Sequence, residues 1–178
     1  MNKIILENTE IKMEATRDGF GRGLVLAGEE NPNVVVLSAD VSSSCRCNFF
    51  SDKFPKRFFQ VGVSEQNLAG VAAGLAMSGK IPYIAAYSVF SPGRNWEQIR
   101  TTIAFNDTNV KICGHHTGLS AGYDGATHQA LDDIALMRVL PNMKVIVPCD
   151  SIEAEKATMA AAKISGPVYL RLTREKTP

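Results

Sequence analysis

Hydrophobic residues along the chain alternate between short, nearly unbroken runs and longer stretches with helical spacing. The short runs are rich in valine, isoleucine and aromatic residues, as in strands that are buried on both faces. They predict strands at residues 34–40, 58–62, 83–88, 110–114, 143–148 and 168–172. The longer stretches predict helices at residues 16–27, 64–77, 94–105, 128–138 and 151–164.

This alternation predicts an α/β fold, in which a parallel β-sheet of about six strands carries helices on both faces. The last helix has its own start signal, because Asp150 and Glu153 stand at capping-box spacing before its first apolar positions. A chain of 178 residues is the size of one ordinary domain, and we expect residues 1–178 to form a single one.

Composition narrows the classes of function. Hydrophobic residues make up 45% of the chain and charged residues 21%, which is typical of a soluble globular protein. The net charge of +1 argues against a nucleic-acid partner. No apolar run reaches the roughly 18 residues of a membrane span, and no signal peptide is evident, so we expect a cytoplasmic protein without a membrane partner. The four cysteines lack zinc-site spacing and are expected to be reduced thiols.

Polar side chains concentrate where the predicted strands end. Asp40 and residues 42–44 follow one strand, Glu65 follows another, and segments 88–94 and 115–128 follow the next two. Parallel sheets bind their ligands beyond the carboxyl ends of their strands. The sequence therefore predicts a ligand site at this edge of the sheet.

The helix predicted after Glu65 is apolar on every side. Ser64 stands at its N-cap position, and Gly70 and Gly74 are four residues apart, so they lie on one face and permit another backbone to come close. A helix without a polar face is buried all round, whereas a single sheet covers only one of its sides. We therefore expect a second chain against the other side, with Glu65 shielded from water at the boundary.

Several ordered segments resemble the pyrimidine-binding domain of the transketolase group of thiamine-diphosphate enzymes. The resemblance covers essentially the whole chain and rests on LSADVSSS, VGVSEQNLAGVAAGLA, AAYSVFSPGRNWEQIR, GHHTGLSAGYDGATHQ and PVYLRLTRE. It implies thiamine diphosphate as the cofactor. In that group a glutamate hydrogen-bonds a ring nitrogen of the cofactor's aminopyrimidine, and the resemblance gives this catalytic role to Glu65.

Further cofactor-binding positions follow from the same resemblance. Phe90 matches the aromatic residue that stacks on the aminopyrimidine, and Asp40 matches an acid near the cofactor. The group has aromatic residues three and six positions after Phe90, where this chain has Gly93 and Trp96. Trp96 is therefore expected to wall the pocket, whereas Gly93 cannot, so this side of the pocket should have a different shape.

The resemblance also implies substrate-binding residues. The positions that bind the sugar phosphate match Arg17, Ser44, His116 and Arg174. Asp124 matches a residue that recognises a substrate hydroxyl, and His128 matches one near the reacting carbons, to which we give a catalytic role as well. Taken singly, these are ordinary surface charges and loop residues. Together, two cations, an imidazole and a hydroxyl suit a phosphate dianion.

Other parts of such an enzyme are missing from the sequence. The group holds Mg²⁺ through a Gly-Asp-Gly motif, which does not occur here, so we expect the diphosphate-binding and C-terminal domains to be absent. The chain resembles the second subunit of a split-gene transketolase, which implies a partner subunit that carries the diphosphate-binding domain and Mg²⁺. We expect a homodimer that acts on sugar phosphates only within that complex, with no metal ligated by this chain.

Two alternatives to a transketolase stay open. One is the same domain of deoxyxylulose-phosphate synthase, which fits SPGRNWEQIR less well, or of a 2-oxoacid dehydrogenase β chain, which does not explain Arg17, His116 and Arg174 together. The other is a non-catalytic assembly domain, which predicts no need for Glu65 or the phosphate-binding set. We favour the transketolase, an enzyme that transfers a two-carbon ketol unit between sugar phosphates.

Overall fold

The computed structural model describes residues 12–178 and confirms the predicted α/β fold. Six parallel strands form the central sheet: β2 (Val34–Ser38), β3 (Phe58–Gln60), β4 (Ile81–Tyr87), β5 (Lys111–His115), β6 (Lys144–Ile146) and β7 (Val168–Arg171). Their order across the sheet is β3-β2-β4-β5-β7-β6. A separate antiparallel pair, β1 (Glu14–Ala15) with β8 (Lys176–Thr177), is too short to leave a hydrophobic pattern and was not predicted.

Six α-helices within residues 12–178 cover the sheet: α1 (Thr16–Glu30), α2 (Asn48–Lys53), α3 (Glu65–Met77), α4 (Trp96–Gln98), α5 (Asp133–Arg138) and α6 (Ser151–Lys163). Helices α1, α2 and α6 pack on one face, and α3, α4 and α5 pack on the other. In this described part of the chain, no helix combines the length and the apolar character needed to cross a membrane.

The core consists of two hydrophobic layers, one on each face of the sheet. Successive strand residues point to opposite faces, so Val34 and Val36 of β2 pack in the layer of α1, whereas Val35 and Leu37 pack in the layer of α3. All four side chains are buried. Burial on both faces explains why the strands are visible in the sequence as nearly unbroken apolar runs.

Two predicted helices have a different internal structure from the one expected. The segment predicted as a helix at 94–105 begins as the short α4 and continues as a π-helix over Ile99–Ala104. The segment predicted at 128–138 begins at the last residue of a 3-10 turn, Ala126–His128, and its α-helix starts only at Asp133. Short π-helical segments such as Ile99–Ala104 are frequent at functional sites.

Side-chain hydrogen bonds cap the predicted start of α6 but not the predicted start of α3. At α6 the Asp150 carboxylate accepts from Glu153 N at 2.7 Å, and Glu153 Oε2 accepts from Cys149 N at 2.6 Å, which confirms the capping interaction. At α3 the predicted N-cap position of Ser64 is confirmed, because the helix begins at Glu65, but the Ser64 hydroxyl donates to Val61 O at 2.8 Å and does not accept from the helix.

Residues 12–178 cover only one side of helix α3. Leu68 is buried in the core, whereas Val71 and Met77 are exposed. A Cβ atom added at Gly70 or Gly74 would meet nothing within 4 Å. We call this uncovered apolar side the open face of α3, and the second chain expected against it stays a prediction.

A buried lysine lies at the amino-terminal end of strand β5. Lys111 is the first residue of β5, and its Nζ donates to Asn109 Oδ1 at 2.6 Å, Ile164 O at 2.7 Å and Gly166 O at 2.8 Å. Burial lowers the pKa of this ammonium to about 8. The bonds to Ile164 O and Gly166 O tie the start of β5 to the connection between α6 and β7.

Candidate active site

The carboxyl ends of the strands bring the predicted polar residues to one edge of the sheet. Asp40 follows β2, Ser88 follows β4, His116 follows β5, and Glu65 begins α3 just after β3. Asp40 and His116 adopt left-handed backbone conformations, with φ of 63° and 54°. Non-glycine residues in such conformations cost about 1–3 kcal/mol each and cluster at functional sites.

Glu65 is a buried carboxylate with one charged partner. Its side chain is 3% exposed, and Arg94 Nη1 donates to Oε2 at 2.7 Å. Asn95 Nδ2 donates to the backbone carbonyl of Glu65 at 2.9 Å. A buried charge needs such partners because it has lost its hydration. The Arg94 side chain is 48% exposed, so the ion pair has one buried and one solvent-exposed member.

A row of aromatic rings, which we call the aromatic row, lines the cleft beside this carboxylate. His116 stacks on Tyr87 with ring centroids 4.0 Å apart, and Tyr87 stacks on Phe90 at 6.4 Å. His128 lies edge-on to Phe90 at 5.3 Å. The guanidinium of Arg94 covers the Phe90 ring, with Cζ 4.4 Å from the ring centroid. The row offers flat surfaces suited to planar ligands.

The turn after β4 explains why position 93 has no side chain. Gly93 N donates to Ser88 O at 3.1 Å, and a Cβ atom at Gly93 would lie 2.0 Å from Val89 O. The backbone of this turn therefore excludes the aromatic side chain that relatives were expected to have at this position. Trp96 does not replace that ring, because its indole Nε1 donates to Leu136 O at 2.8 Å and packs against the core. Within the described chain, Trp96 is not among the rings that stack with Phe90.

The other side of the cleft, which we call the basic side, is built around Arg17 in the first turn of α1. Arg17 Nη1 donates to the backbone carbonyl of Ser44 at 3.1 Å and to His116 Nε2 at 3.2 Å. A guanidinium can only donate, so His116 accepts at Nε2 and carries its proton at Nδ1. Burial, followed by the charges of Arg17 and Arg174, lowers the pKa of His116 to about 4. The imidazole is therefore neutral at pH 7.

Arg174 completes the basic side from the segment after β7. Its Nη1 donates to Ala121 O at 3.1 Å and lies 3.8 Å from Asp124 Oδ2. Burial lowers the pKa of Arg17, and the charges of Arg46 and Arg174 lower it further. Positive charges thus outnumber carboxylates around this part of the cleft.

Several polar atoms near the basic side are buried without a hydrogen-bond partner in residues 12–178. They are Arg17 Nε, His116 Nδ1, Ser88 Oγ and both ring nitrogens of His115. Buried polar atoms almost always have partners in native proteins. Unpaired donors beside two arginines are consistent with a site that binds an anion.

The remaining predicted residues are Asp40 and His128. Asp40 is exposed, and its backbone N–H donates to Gln60 Oε1 at 3.0 Å. His128 Nδ1 lies 2.9 Å from Thr127 Oγ1, which fixes the ring beside Phe90. Contacts and charge interactions among the described residues link the predicted site residues other than Asp40 and Trp96.

Comparisons with known proteins agree with this geometry. The family described as "Transketolase, pyrimidine binding domain" matches residues 12–178. The chain belongs to the transketolase family. It is 46% identical over 161 residues to a Methanocaldococcus jannaschii protein provisionally named a transketolase C-terminal section, with 90% of this chain and 51% of that protein covered. It is 36% identical over 167 residues to the 6-deoxy-6-sulfo-D-fructose transketolase subunit SqwH of Clostridium sp., with 93% and 52% covered.

A solved transketolase structure shares the fold. It is described as a split gene transketolase, inactive beta4 tetramer, and it superposes with a TM-score of 0.83 at 50% identity, covering 92% of this chain and 52% of that one. The chain therefore spans about half the length of the transketolases it resembles. The family and the pyrimidine-binding domain predicted from the sequence are confirmed.

Three residues of this transketolase cleft were missed by the sequence analysis: Tyr87, Arg94 and Asn95. Tyr87 was counted only as a strand residue, and Asn95 as part of a helix. The one signal for Arg94 is its spacing of four residues from Phe90, which places both on one side of a helical turn. The bond from Arg94 N to Phe90 O, at 3.0 Å, shows that such a turn forms.

Proposed function

We propose that this chain forms the pyrimidine-binding half of a thiamine-diphosphate site in a transketolase that transfers a two-carbon ketol unit between sugar phosphates. The observation that carries the proposal is the buried carboxylate of Glu65, which Arg94 links to the ring of Phe90 at the carboxyl edge of the sheet. Membership of the transketolase family supports the cofactor.

The residues fit the aminopyrimidine end of that cofactor. Phe90 offers a ring for stacking, and Glu65 Oε1 accepts no hydrogen bond from the described residues, so it can accept one from a ring N–H. Thiamine diphosphate supplies the carbanion chemistry when it is bound, whereas the protein supplies orientation and electrostatics. A hydrogen bond to Glu65 is strengthened because this carboxylate is buried.

The basic side fits the phosphate of a sugar substrate. Arg17 Nε and His116 Nδ1 are buried donors without partners in the described chain, and Arg174 adds a second guanidinium. Asp124, which lies 3.8 Å from Arg174, is placed to accept from a substrate hydroxyl. His128, held edge-on to Phe90, is assigned to the space of the reacting carbons.

We assign Mg²⁺ to another subunit. Residues 12–178 contain no group of three or more histidine, cysteine, aspartate or glutamate side chains that could hold a metal ion. The similar split-gene transketolase supports a second subunit, to which we assign the diphosphate-binding domain. We assign the open face of α3 to a homodimer contact, and we expect the isolated chain to be inactive.

The test is reconstitution of ketol transfer. The chain is mixed with a diphosphate-domain partner, thiamine diphosphate and Mg²⁺, and transfer from xylulose 5-phosphate is measured. We expect Glu65→Gln and Glu65→Ala to lower kcat by about 100-fold or more, because the aminopyrimidine loses its acceptor. Glu97→Gln, which changes an exposed carboxylate on α4, is the matched control and should keep full activity. Full activity in both Glu65 variants would overturn the proposed function.

A further inference from the structure

We infer that Arg94 occupies the aminopyrimidine position of this site until the cofactor displaces it. Cofactor binding is then coupled to the release of one arginine side chain. The inference rests on the proposed function. It is carried by two contacts that Arg94 makes at the same time, one to Glu65 and one to Phe90.

These two contacts are the ones that the cofactor ring needs. Arg94 Nη1 donates to Glu65 Oε2 at 2.7 Å, and its Cζ lies 4.4 Å from the centroid of the Phe90 ring. A guanidinium is planar and cationic, with N–H donors along its edge. An aminopyrimidine protonated on a ring nitrogen has the same three properties. A ring that touches both residues must enter the space that the guanidinium fills.

Only the side chain has to move for the cofactor to enter. The backbone of the turn is fixed, because Arg94 N and Asn95 N both donate to Phe90 O, at 3.0 Å and 3.3 Å. Asn95 Nδ2 also donates a hydrogen bond to the backbone carbonyl of Glu65 at 2.9 Å. The Arg94 side chain is half exposed and has a free path into solvent. Its rotation uncovers the site while Glu65 stays in place.

The ion pair between Arg94 and Glu65 lowers the apparent affinity of the site for the cofactor. When a ligand binds only the open state, its apparent Kd is the intrinsic Kd divided by the open fraction. A pair that is closed in about nine tenths of the molecules therefore weakens binding about tenfold. Arg100 is a matched control, because its guanidinium lies over Trp96 and Phe105 and forms no ion pair in the described chain.

The experiment measures thiamine diphosphate affinity in the complex of the full chain with its diphosphate-domain partner, by calorimetric titration with Mg²⁺ present. We expect Arg94→Ala to lower the Kd about tenfold, and Arg94→Gln to lower it by a smaller factor because glutamine keeps a weaker hydrogen bond to Glu65. Arg100→Ala should keep the wild-type Kd. If Arg94→Ala does not assemble, Arg94→Gln decides the question in the same direction.

The outcomes separate this inference from the proposed function. A Kd that is unchanged or higher in the Arg94 variants, with wild-type ketol transfer that depends on Glu65, overturns the inference alone, because Arg94 then does not compete with the cofactor. A wild-type complex that binds no thiamine diphosphate, or whose activity survives Glu65→Gln, overturns the proposed function and the inference together. A lower Kd confined to the Arg94 variants supports both.

Discussion

The two sides of the cleft differ in which of their buried polar atoms form hydrogen bonds. On the carboxylate side, Glu65 has Arg94 on its side chain and Asn95 on its backbone carbonyl. On the basic side, Arg17 Nε and His116 Nδ1 are buried and form no hydrogen bond within the described chain. Among the described residues, the buried atom without a partner on the carboxylate side is an acceptor, Asn95 Oδ1, whereas those of Arg17 and His116 on the basic side are N–H donors.

This difference indicates how each side responds to a ligand. A ligand on the carboxylate side replaces an existing contact, whereas an anion on the basic side supplies contacts that are missing. An unsatisfied buried donor costs about 1–3 kcal/mol, so anion binding should stabilise the basic side more than cofactor binding stabilises the carboxylate side. The following substitutions test each side in turn.

The largest effect is expected on the carboxylate side from Gly93→Ala. The added Cβ atom would lie 2.0 Å from Val89 O, so the turn that carries Arg94 and Asn95 must shift. We expect the free energy of unfolding to fall by about 4 kcal/mol, measured by urea denaturation of the full chain. Gly70→Ala is the control in the monomeric chain, where it adds a methyl group in open space on a helix and should raise stability by about 0.5–1 kcal/mol. Equal effects of the two substitutions would contradict the strained turn.

A somewhat smaller effect is expected on the basic side when the pH is lowered. The pKa of His116 is about 4 in the folded chain and 6.5 as the ordinary value, so folding favours the neutral ring. The neutral ring of His116 makes its full contribution to the free energy of unfolding above pH 6.5. This contribution is lost as the pH falls from 6.5 through 4. At 1.36 kcal/mol per pH unit, the loss is about 3 kcal/mol.

His116→Asn tests this pH dependence. The fall in unfolding free energy between pH 7 and pH 4 should be about 3 kcal/mol smaller in the variant than in the wild type. Thr127→Ser changes a residue of the same cleft that does not titrate and should keep the wild-type fall. A fall of the same size in His116→Asn and the wild type would show that this imidazole is not buried as described.

The smallest effect is expected from Arg174→Ala, which removes one guanidinium of the basic side. We expect the KM for the sugar phosphate to rise about tenfold in the reconstituted complex, since a charge-assisted hydrogen bond contributes about 1.5–3 kcal/mol. Arg22→Ala is the control, because Arg22 pairs with Glu14 and Glu155 away from the cleft. The assignment of the phosphate site fails if both variants leave KM unchanged.

Most of the fold could be predicted because the strands are buried on both faces. Such strands appear as apolar runs, and β2 and β5 were located within a few residues. The pair β1 and β8 has two residues in each strand and leaves no periodic pattern. Ser64 is the N-cap residue as predicted, but its hydroxyl binds Val61 O, because a serine hydroxyl has several nearby partners and the sequence does not show which one it binds.

The candidate site could be predicted less completely, because its residues are arranged by backbone geometry. Arg94 is an ordinary surface charge in the sequence, and it reaches Glu65 only because Gly93 permits the tight turn before it. Trp96 was expected in the pocket, but its indole hydrogen-bonds Leu136, a partner 40 positions away. The left-handed backbone that turns His116 toward Tyr87 has no sequence signal either.

The buried ammonium of Lys111 provides an internal control for chemical labelling experiments. Amine-reactive reagents reach surface lysines such as Lys56 and Lys163, which are exposed, but they cannot reach a side chain enclosed by three oxygen atoms. Burial lowers the pKa of this amine to about 8, and uncovering the side chain removes that cause and restores an ordinary lysine. Modification at Lys111 therefore reports that the structure around the start of β5 has opened, and a crosslinking map of subunit contacts can be accepted only while this position stays unmodified.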